Sequence, residues 1–135
     1  MKRMSCIVVI ISCFYLQGCG NTDPYQRSTL SGKISLDGEP IGSGEVILIP
    51  DPARGNSGPS VVAPISHGTY QSTAENGPVS GPTTVRIMGY SEKTDPKATD
   101  GSLRLLIDSY ETSIEIPAGK ATFDFELTRN DLEKK

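Results

Sequence analysis

Cysteine and histidine carry the most reactive side chains of this 135-residue chain, and both are scarce: there are three cysteines and one histidine. Cys6 and Cys13 lie within the first 18 residues, and Cys19 follows directly after Leu16-Gln17-Gly18. A thiol can serve as a nucleophile, a metal ligand or an attachment point for another group. Because no cysteine follows residue 19, the chain beyond it has no disulfide, thiol nucleophile or thiolate metal site.

The residues before Cys19 predict a secretion signal. Lys2 and Arg3 precede ten uncharged residues, 7–16. That length suits the apolar part of a signal peptide, about 7–15 residues, and is shorter than the roughly 20 residues that span a bilayer. An ordinary signal would show an A-x-A-like cleavage site. Here Leu16, Gly18 and Cys19 resemble the lipobox of bacterial lipoproteins.

That resemblance implies a lipid anchor on Cys19. Residues 1–18 would be removed, and the Cys19 sulfur would take a diacylglyceryl group, with acylation of the new amino terminus as well. Two chains give stable membrane anchoring. The implied location is the cell envelope, with the domain in the periplasm or at the cell surface. Gly20 stands where the enterobacterial sorting rule reads Asp for inner-membrane retention, so it favours the outer membrane.

The other chemistry-bearing residues do not predict a catalytic or metal site. His67 precedes Gly68, no nucleophile motif accompanies it, and a turn residue is expected. Asp95, Asp100, Asp108 and Glu111 cluster loosely, without the spacing of a calcium loop. We therefore expect no enzyme, no cofactor and no resident metal, with a solvated loop in the acidic region. Calcium binding there is the alternative.

Exposed aromatic side chains are the remaining candidates for a binding surface. The chain has no Trp. Tyr70 lies on a predicted strand and should pack inside, whereas Tyr90 and Tyr110 flank a polar stretch and are the candidate ligand contacts. A cation- or carbohydrate-binding module acting through residues 90–111 is therefore the alternative function.

Charge and composition exclude one class of partner and favour one fold class. The formal charge is −3, and loss of Lys2 and Arg3 with the leader would make it −5. A nucleic-acid-binding protein would carry a basic patch, which is not present. The 14 glycines and 10 prolines are spread along the chain, as expected for short strands joined by tight turns.

Period-two alternation then predicts about seven short strands. They include Leu30–Leu36, Glu45–Pro50 and, as the clearest, Ala121–Leu127, with Val85 and Ile87 on one face of another. Asp37-Gly38 marks a turn, and Pro64 in the weaker strand 61–65 indicates an edge. Residues 103–107 are ambiguous between strand and helical turn, and residues 112–116 form a separate strand. We predict an all-β chain, a single antiparallel β-sandwich, with a flexible tether over 19–28, the domain over 29–128, a long loop at Tyr90–Ser102 and a charged tail over 129–135.

Several of these stretches together resemble carboxypeptidase-regulatory-like domains of short planctomycete-type lipoproteins. The opening pattern is Gly32-x-Ile34-x-x-Asp37-Gly38-x-Pro40-Ile41, followed by Gly44-x-Val46-x-Leu48-x-Pro50. Residues 68–70, 77–87 and 116–127 follow in the family's order. The resemblance implies a transthyretin-like sandwich and no shared catalytic residues. It favours a non-enzymatic envelope lipoprotein whose domain binds or supports an envelope protein or glycan.

Overall fold

A computed structural model describes residues 23–134, so the predicted signal peptide, Cys19 and the first tether residues lie outside the described residues. The described chain is mostly β-strand, and its sheet is curled into a half-barrel. The strands are β1 (Thr29–Leu36), β2 (Glu39–Pro40), β3 (Ser43–Pro50), β4 (Val61–Ser66), β5 (Thr69–Gln71), β6 (Gly81–Thr94), β7 (Leu103–Ile116), β8 (Lys120–Thr122) and β9 (Phe125–Leu127). A short helix α1 (Arg129–Glu133) follows, and a 3₁₀ turn covers Pro52–Arg54.

The strands follow the order β2-β1-β5-β4-β3-β6-β7, and each neighbouring pair is antiparallel. β8 and β9 join the sheet by running parallel to β1. The prediction of an all-β, mainly antiparallel fold is therefore confirmed.

The core lies on the face predicted by the alternation. Leu30, Ile34 and Leu36 of β1 are at most 5% exposed, and Val85 and Ile87 of β6 are fully buried. β3 behaves differently from its continuous apolar sequence, since Val46 and Leu48 are buried while Ile47 and Ile49 are half-buried. Only one face of β3 is thus covered completely. The remaining core residues are Ile41, Val61, Ala63, Ile65, Tyr70, Ile107, Ile116, Phe125 and Leu127.

Two hairpin turns follow the predicted glycine chemistry. Asp37 and Gly38 join β1 to β2 with φ of 51° and 81°. His67 and Gly68 join β4 to β5 with φ of 48° and 74°. Such a pair of positive φ angles matches the twist of the strands it connects, which is why Asp-Gly is a strong hairpin signal. His67 is therefore a turn residue, as its sequence position predicted.

The long loop predicted at Tyr90–Ser102 is wrong in extent. β6 continues through Tyr90 to Thr94, and β7 begins at Leu103, so only residues 95–102 turn. The two segments predicted around residues 103–107 and 112–116 are one strand of 14 residues. Register shifts between residues 87 and 94 of β6 let the pairing continue through residues whose alternation is irregular. The result is a hairpin about 45 Å long at about 3.3 Å per residue.

The last predicted strand is broken. β8 ends at Thr122 and β9 begins at Phe125. At the break the backbone N–H of Phe123 donates to the Ser31 carbonyl oxygen at 3.0 Å. The Asp124 carboxylate accepts the backbone N–H of Lys33 at 2.7 Å. An acidic side chain thus replaces the ladder for one residue, which the alternating sequence does not reveal.

Both predicted termini of the domain are more structured than expected. On the tether side, the backbone carbonyl of Gln26 accepts the N–H of Ser80 at 2.9 Å, and Arg27 forms an isolated antiparallel β-bridge with Val79. Ser28 is 1% exposed. The ordered domain thus begins near Gln26 rather than at residue 29. In the predicted charged tail, residues 129–133 form α1, and its Leu132 packs against the core.

Candidate functional site

The residues predicted to carry the lipid, Leu16, Gly18 and Cys19, lie outside the described residues. The structure describes the chain only from Asp23. Six residues, 20–25, separate Cys19 from Gln26, where the hydrogen-bonded domain begins.

The two tyrosines predicted as ligand contacts are not brought together. Tyr110 lies opposite Ile87 in the β6–β7 ladder and packs against the core. Tyr90 pairs with Ser43 of β3 and with Leu105 of β7. It is half-buried on the outer face, beside Met88 and Glu45. Because the two rings occupy opposite faces of one hairpin, they cannot form a single aromatic platform.

Three acidic residues of the same hairpin form hydrogen bonds or an ion pair with neighbouring residues. Asp95 accepts the N–H of Lys97 at 2.9 Å, and Asp100 accepts the hydroxyl of Ser102 at 2.7 Å. Hydrogen bonds from the Ser102 side chain and backbone hold the pKa of Asp100 below its usual value. Glu111 pairs with Arg86 at 3.0 Å. Within residues 23–134 no group of three His, Cys, Asp or Glu side chains is arranged to hold a metal.

His67 is part of a small polar constellation at the β4–β5 turn. Its Nδ1 lies 2.9 Å from the Ser66 hydroxyl, and its Nε2 lies 3.7 Å from a Glu92 carboxylate oxygen. A base that activates a serine needs a held orientation and a desolvated site. Here the side chains of His67 and Glu92 are 83% and 61% exposed. Water therefore competes for every contact, and His67 is better explained as an exposed residue of the β4–β5 turn than as a catalytic base.

A concave groove lies between β1, β4 and β5, about 530 Å³ in volume and open to solvent. Most of its lining side chains are polar and uncharged: Ser31, Ser66, Thr69, Tyr70, Gln71 and Thr122, with Lys33 and Asp124 as the charged ones. It forms because β5 is only three residues long and pairs with β4 at Ile65 and Ser66 alone. Pro64, which has no N–H to donate, borders the resulting gap.

Tyr70 forms the floor of this groove. The residue is 3% exposed, and its ring packs on Phe125, with the ring centres 5.9 Å apart. Its hydroxyl donates to the Phe123 carbonyl at 2.7 Å, at the break between β8 and β9. Burial, with a smaller contribution from the nearby Asp124 charge, raises the pKa of this phenol. The hydroxyl stays protonated at neutral pH and serves as a structural donor.

The two ends of the half-barrel carry different parts of the chain. The entry end carries Gln26–Ser28, the start of β6 at Gly81 and the end of β7 at Ile116, because Gly81 pairs with Ile116 and Arg27 with Val79. The distal end carries the Asp37-Gly38 turn and the tip of the β6–β7 hairpin. The chain therefore enters the domain at the opposite end from its longest projection.

No protein-family model matches this chain, and neither a curated protein nor a solved structure matches it significantly. Within residues 23–134, no helix has the length and apolar character needed to cross a membrane. The sequence did not predict the β1–β4–β5 groove, because its lining residues come from four separate stretches of the chain, 31–33, 64–66, 69–71 and 122–124. Pro64, which indicated a strand edge, was the local signal.

Proposed function

We propose that this chain is a non-enzymatic, lipid-anchored lipoprotein of a bacterial cell envelope, with a β domain that binds or supports another envelope component. The finer fold assignment belongs to the same proposal: a signal peptide over 1–18 and a transthyretin-like sandwich of the carboxypeptidase-regulatory-like kind. The curl of the sheet around one core and the Asp37-Gly38 hairpin turn support the sandwich.

The anchored arrangement is best supported by the positions of the chain entry and of the β6–β7 tip at opposite ends of the domain. The seven Cα–Cα steps from Cys19 to Gln26 reach at most about 25 Å at about 3.5 Å each. A lipid on Cys19 would keep the entry end near the bilayer and direct the β6–β7 tip and the Asp37-Gly38 turn away from it. That is the geometry expected of a module that presents its distal end to a partner.

The test is acylation of the full-length chain in a bacterial host. Wild type, Cys19→Ala and Cys13→Ala are expressed with an alkyne analogue of palmitate, and the label and membrane association are measured. Wild type and Cys13→Ala should be labelled and sediment with membranes, while Cys19→Ala should lose both properties. Labelling that persists in Cys19→Ala, or that is lost in Cys13→Ala, would contradict the proposal.

The partner is tested in the same cells by cross-linking and mass spectrometry. A discrete envelope protein recovered with wild type and not with Cys19→Ala would support an assembly role. Equal recovery with both forms would show that anchoring does not direct the interaction.

Carbohydrate binding is the second candidate, and the β1–β4–β5 groove favours it over the Tyr90–Glu111 region. Hydroxyl, amide and carboxylate groups in an open groove suit the hydroxyls of a sugar, although Tyr70 is too buried to stack on one. A glycan panel screened against wild type and Gln71→Ala, with Tyr90→Ala as the control, tests it. If Tyr90→Ala loses glycan binding and Gln71→Ala keeps it, the binding site lies in the Tyr90–Glu111 region and not in the groove.

A further inference from the structure

A second pocket lies at the distal end, between β1, β7 and α1, with a volume of about 300 Å³. Its apolar wall consists of leucines from all three elements: Leu36, Leu105, Leu106 and Leu132. Its polar side chains are Arg104, Arg129 and Glu133. We refer to it as the two-arginine pocket.

Arg104 is the unusual residue of this pocket. It stands within the apolar run 103–107 of β7, where the neighbouring Leu103 and Leu105 are 40% and 47% exposed. Its own Nε is buried and has no hydrogen-bond partner among the described residues. A guanidinium stays charged at all ordinary pH values and carries five donors. A buried donor without a partner is unfavourable, so this atom is where an acceptor would gain most.

Arg129 supplies the second guanidinium and is held in place. Its Nε donates to Asp37 Oδ2 at 3.0 Å, and its backbone N–H donates to Asp37 Oδ1 at 3.2 Å. Asp37 thus offsets the charge of Arg129 and fixes the start of α1 over the pocket. Glu133 is the other carboxylate at the pocket, and no ion pair within residues 23–134 joins it to Arg104.

We infer that the two-arginine pocket binds a small aliphatic carboxylate. The carboxylate would accept from Arg104, whose planar donors match its two oxygens, and the aliphatic part would lie against the four leucines. The volume is at the lower end for small-molecule sites, which limits the ligand to a short chain. The inference deepens the proposed binding role by naming a ligand class, and it does not depend on lipid at Cys19.

The test observes the Arg104 Nε–Hε resonance of the full-length chain, ¹⁵N-labelled in a zwitterionic detergent, while sodium hexanoate is added. The resonance is assigned by its loss in Arg104→Gln. Hexanoate should shift it in a saturable way with a dissociation constant on the order of 1 mM. Hexanol should leave it unmoved, and acetate should bind more weakly. Because the contacts of Arg129 with Asp37 fix α1 over the pocket, Arg129→Gln should weaken hexanoate binding several-fold. Arg54→Gln, at the entry end where Arg54 pairs with Glu115, should not change it.

Three results would overturn the inference. The resonance could fail to respond to hexanoate; it could respond equally to hexanol; or Glu133→Gln could shift it without ligand while hexanoate has no effect, which would make Glu133 its partner. Arg129→Gln keeps the test valid if Arg104→Gln does not fold. The same titration on Cys19→Ala should give the same affinity, so failure of the anchor and failure of this pocket are separate outcomes.

Discussion

β1 and the outer half of the β6–β7 hairpin belong to one sheet but are held in different ways. β1 pairs with four strands, β2, β5, β8 and β9, and its inward residues are almost completely buried. Beyond Tyr90, β6 pairs with β7 alone. A two-stranded ribbon is marginally stable on its own. Stability is therefore expected to concentrate around β1, and residues 90–105, which we call the hairpin arm, should contribute less.

The largest expected difference comes from deleting an apolar side chain in each region. Ile34→Ala, in β1, removes a side chain that is 1% exposed and leaves a cavity, so it should lower the free energy of unfolding by about 3–4 kcal/mol. Leu105→Ala, in the hairpin arm, removes one that is 47% exposed and should cost under about 1 kcal/mol. Denaturant unfolding measures both. Equal losses would contradict the contrast between the regions.

Glycine replacement sharpens the same contrast through backbone packing. A Cβ at Gly32 would lie 1.8 Å from the Phe123 carbonyl oxygen, so Gly32→Ala must displace the β8–β9 break and should cost about 3 kcal/mol. Gly101, at the hairpin tip, has open space around it but a φ of 76°. Gly101→Ala should cost about 1 kcal/mol, from backbone conformation alone. If thermal unfolding shifts equally for both, the close approach at Gly32 is not important for stability.

Hydroxyl deletion compares Tyr70 of β5, which pairs with β1, with Tyr90 of the hairpin. Tyr70→Phe removes the donor to the Phe123 carbonyl and leaves a part-buried acceptor, so a loss of about 1–2 kcal/mol is expected. Tyr90→Phe, on the half-buried outer face, should change stability by less than about 0.5 kcal/mol. Because both changes remove a single oxygen, the difference between the two midpoints in urea isolates the hydrogen bond. A larger loss of stability in Tyr90→Phe than in Tyr70→Phe would contradict the expected contribution of the Tyr70 hydrogen bond.

The smallest effect is the acid response of α1 and the hairpin tip. Hydrogen bonds from the Thr128 side chain and backbone, with the nearby Lys134 charge, hold the pKa of Asp131 below its usual 3.8. Its contribution to stability is therefore complete above that value and is lost as pH falls through the lower folded-state pKa. Asp100 should behave in the same way at the tip.

Carboxyl-carbon NMR titration checks this acid response. Both midpoints should lie below 3.8, and Thr128→Val should raise the midpoint of Asp131 while leaving that of Asp100 unchanged. A midpoint for Asp131 that does not respond to Thr128→Val would show that the hydrogen bond from the Thr128 hydroxyl to Asp131 is not formed in solution.

Local pattern was sufficient for much of the fold. Alternation placed Leu30, Ile34 and Leu36 on one buried face, and the two X-Gly pairs, Asp37-Gly38 and His67-Gly68, located the hairpin turns. These predictions succeed because side-chain direction along a strand and the φ preference of a turn depend on neighbours in sequence. The same logic failed where the backbone departs from regular pairing, at the bulged stretch that joins residues 103–107 to 112–116 and at the break after Thr122.

The candidate sites were less predictable. Tyr90 and Tyr110 are 20 residues apart and were predicted to flank one polar stretch, but the register of β6 on β7 assigns them to opposite faces. The β1–β4–β5 groove and the two-arginine pocket each combine residues from several strands, so no window of sequence contains them.

By itself, then, the sequence determined the β class, the inward faces, the turns and the absence of cysteine beyond residue 19, because each depends on composition or on residues a few positions apart. It also carries the lipobox resemblance at Cys19. Only the tertiary structure decided which strands surround β1, where the ladder breaks at Phe123, and that Arg104 shares a leucine-lined pocket with Arg129. Those features depend on contacts between residues distant in sequence, and such contacts follow from how the whole sheet curls around its core.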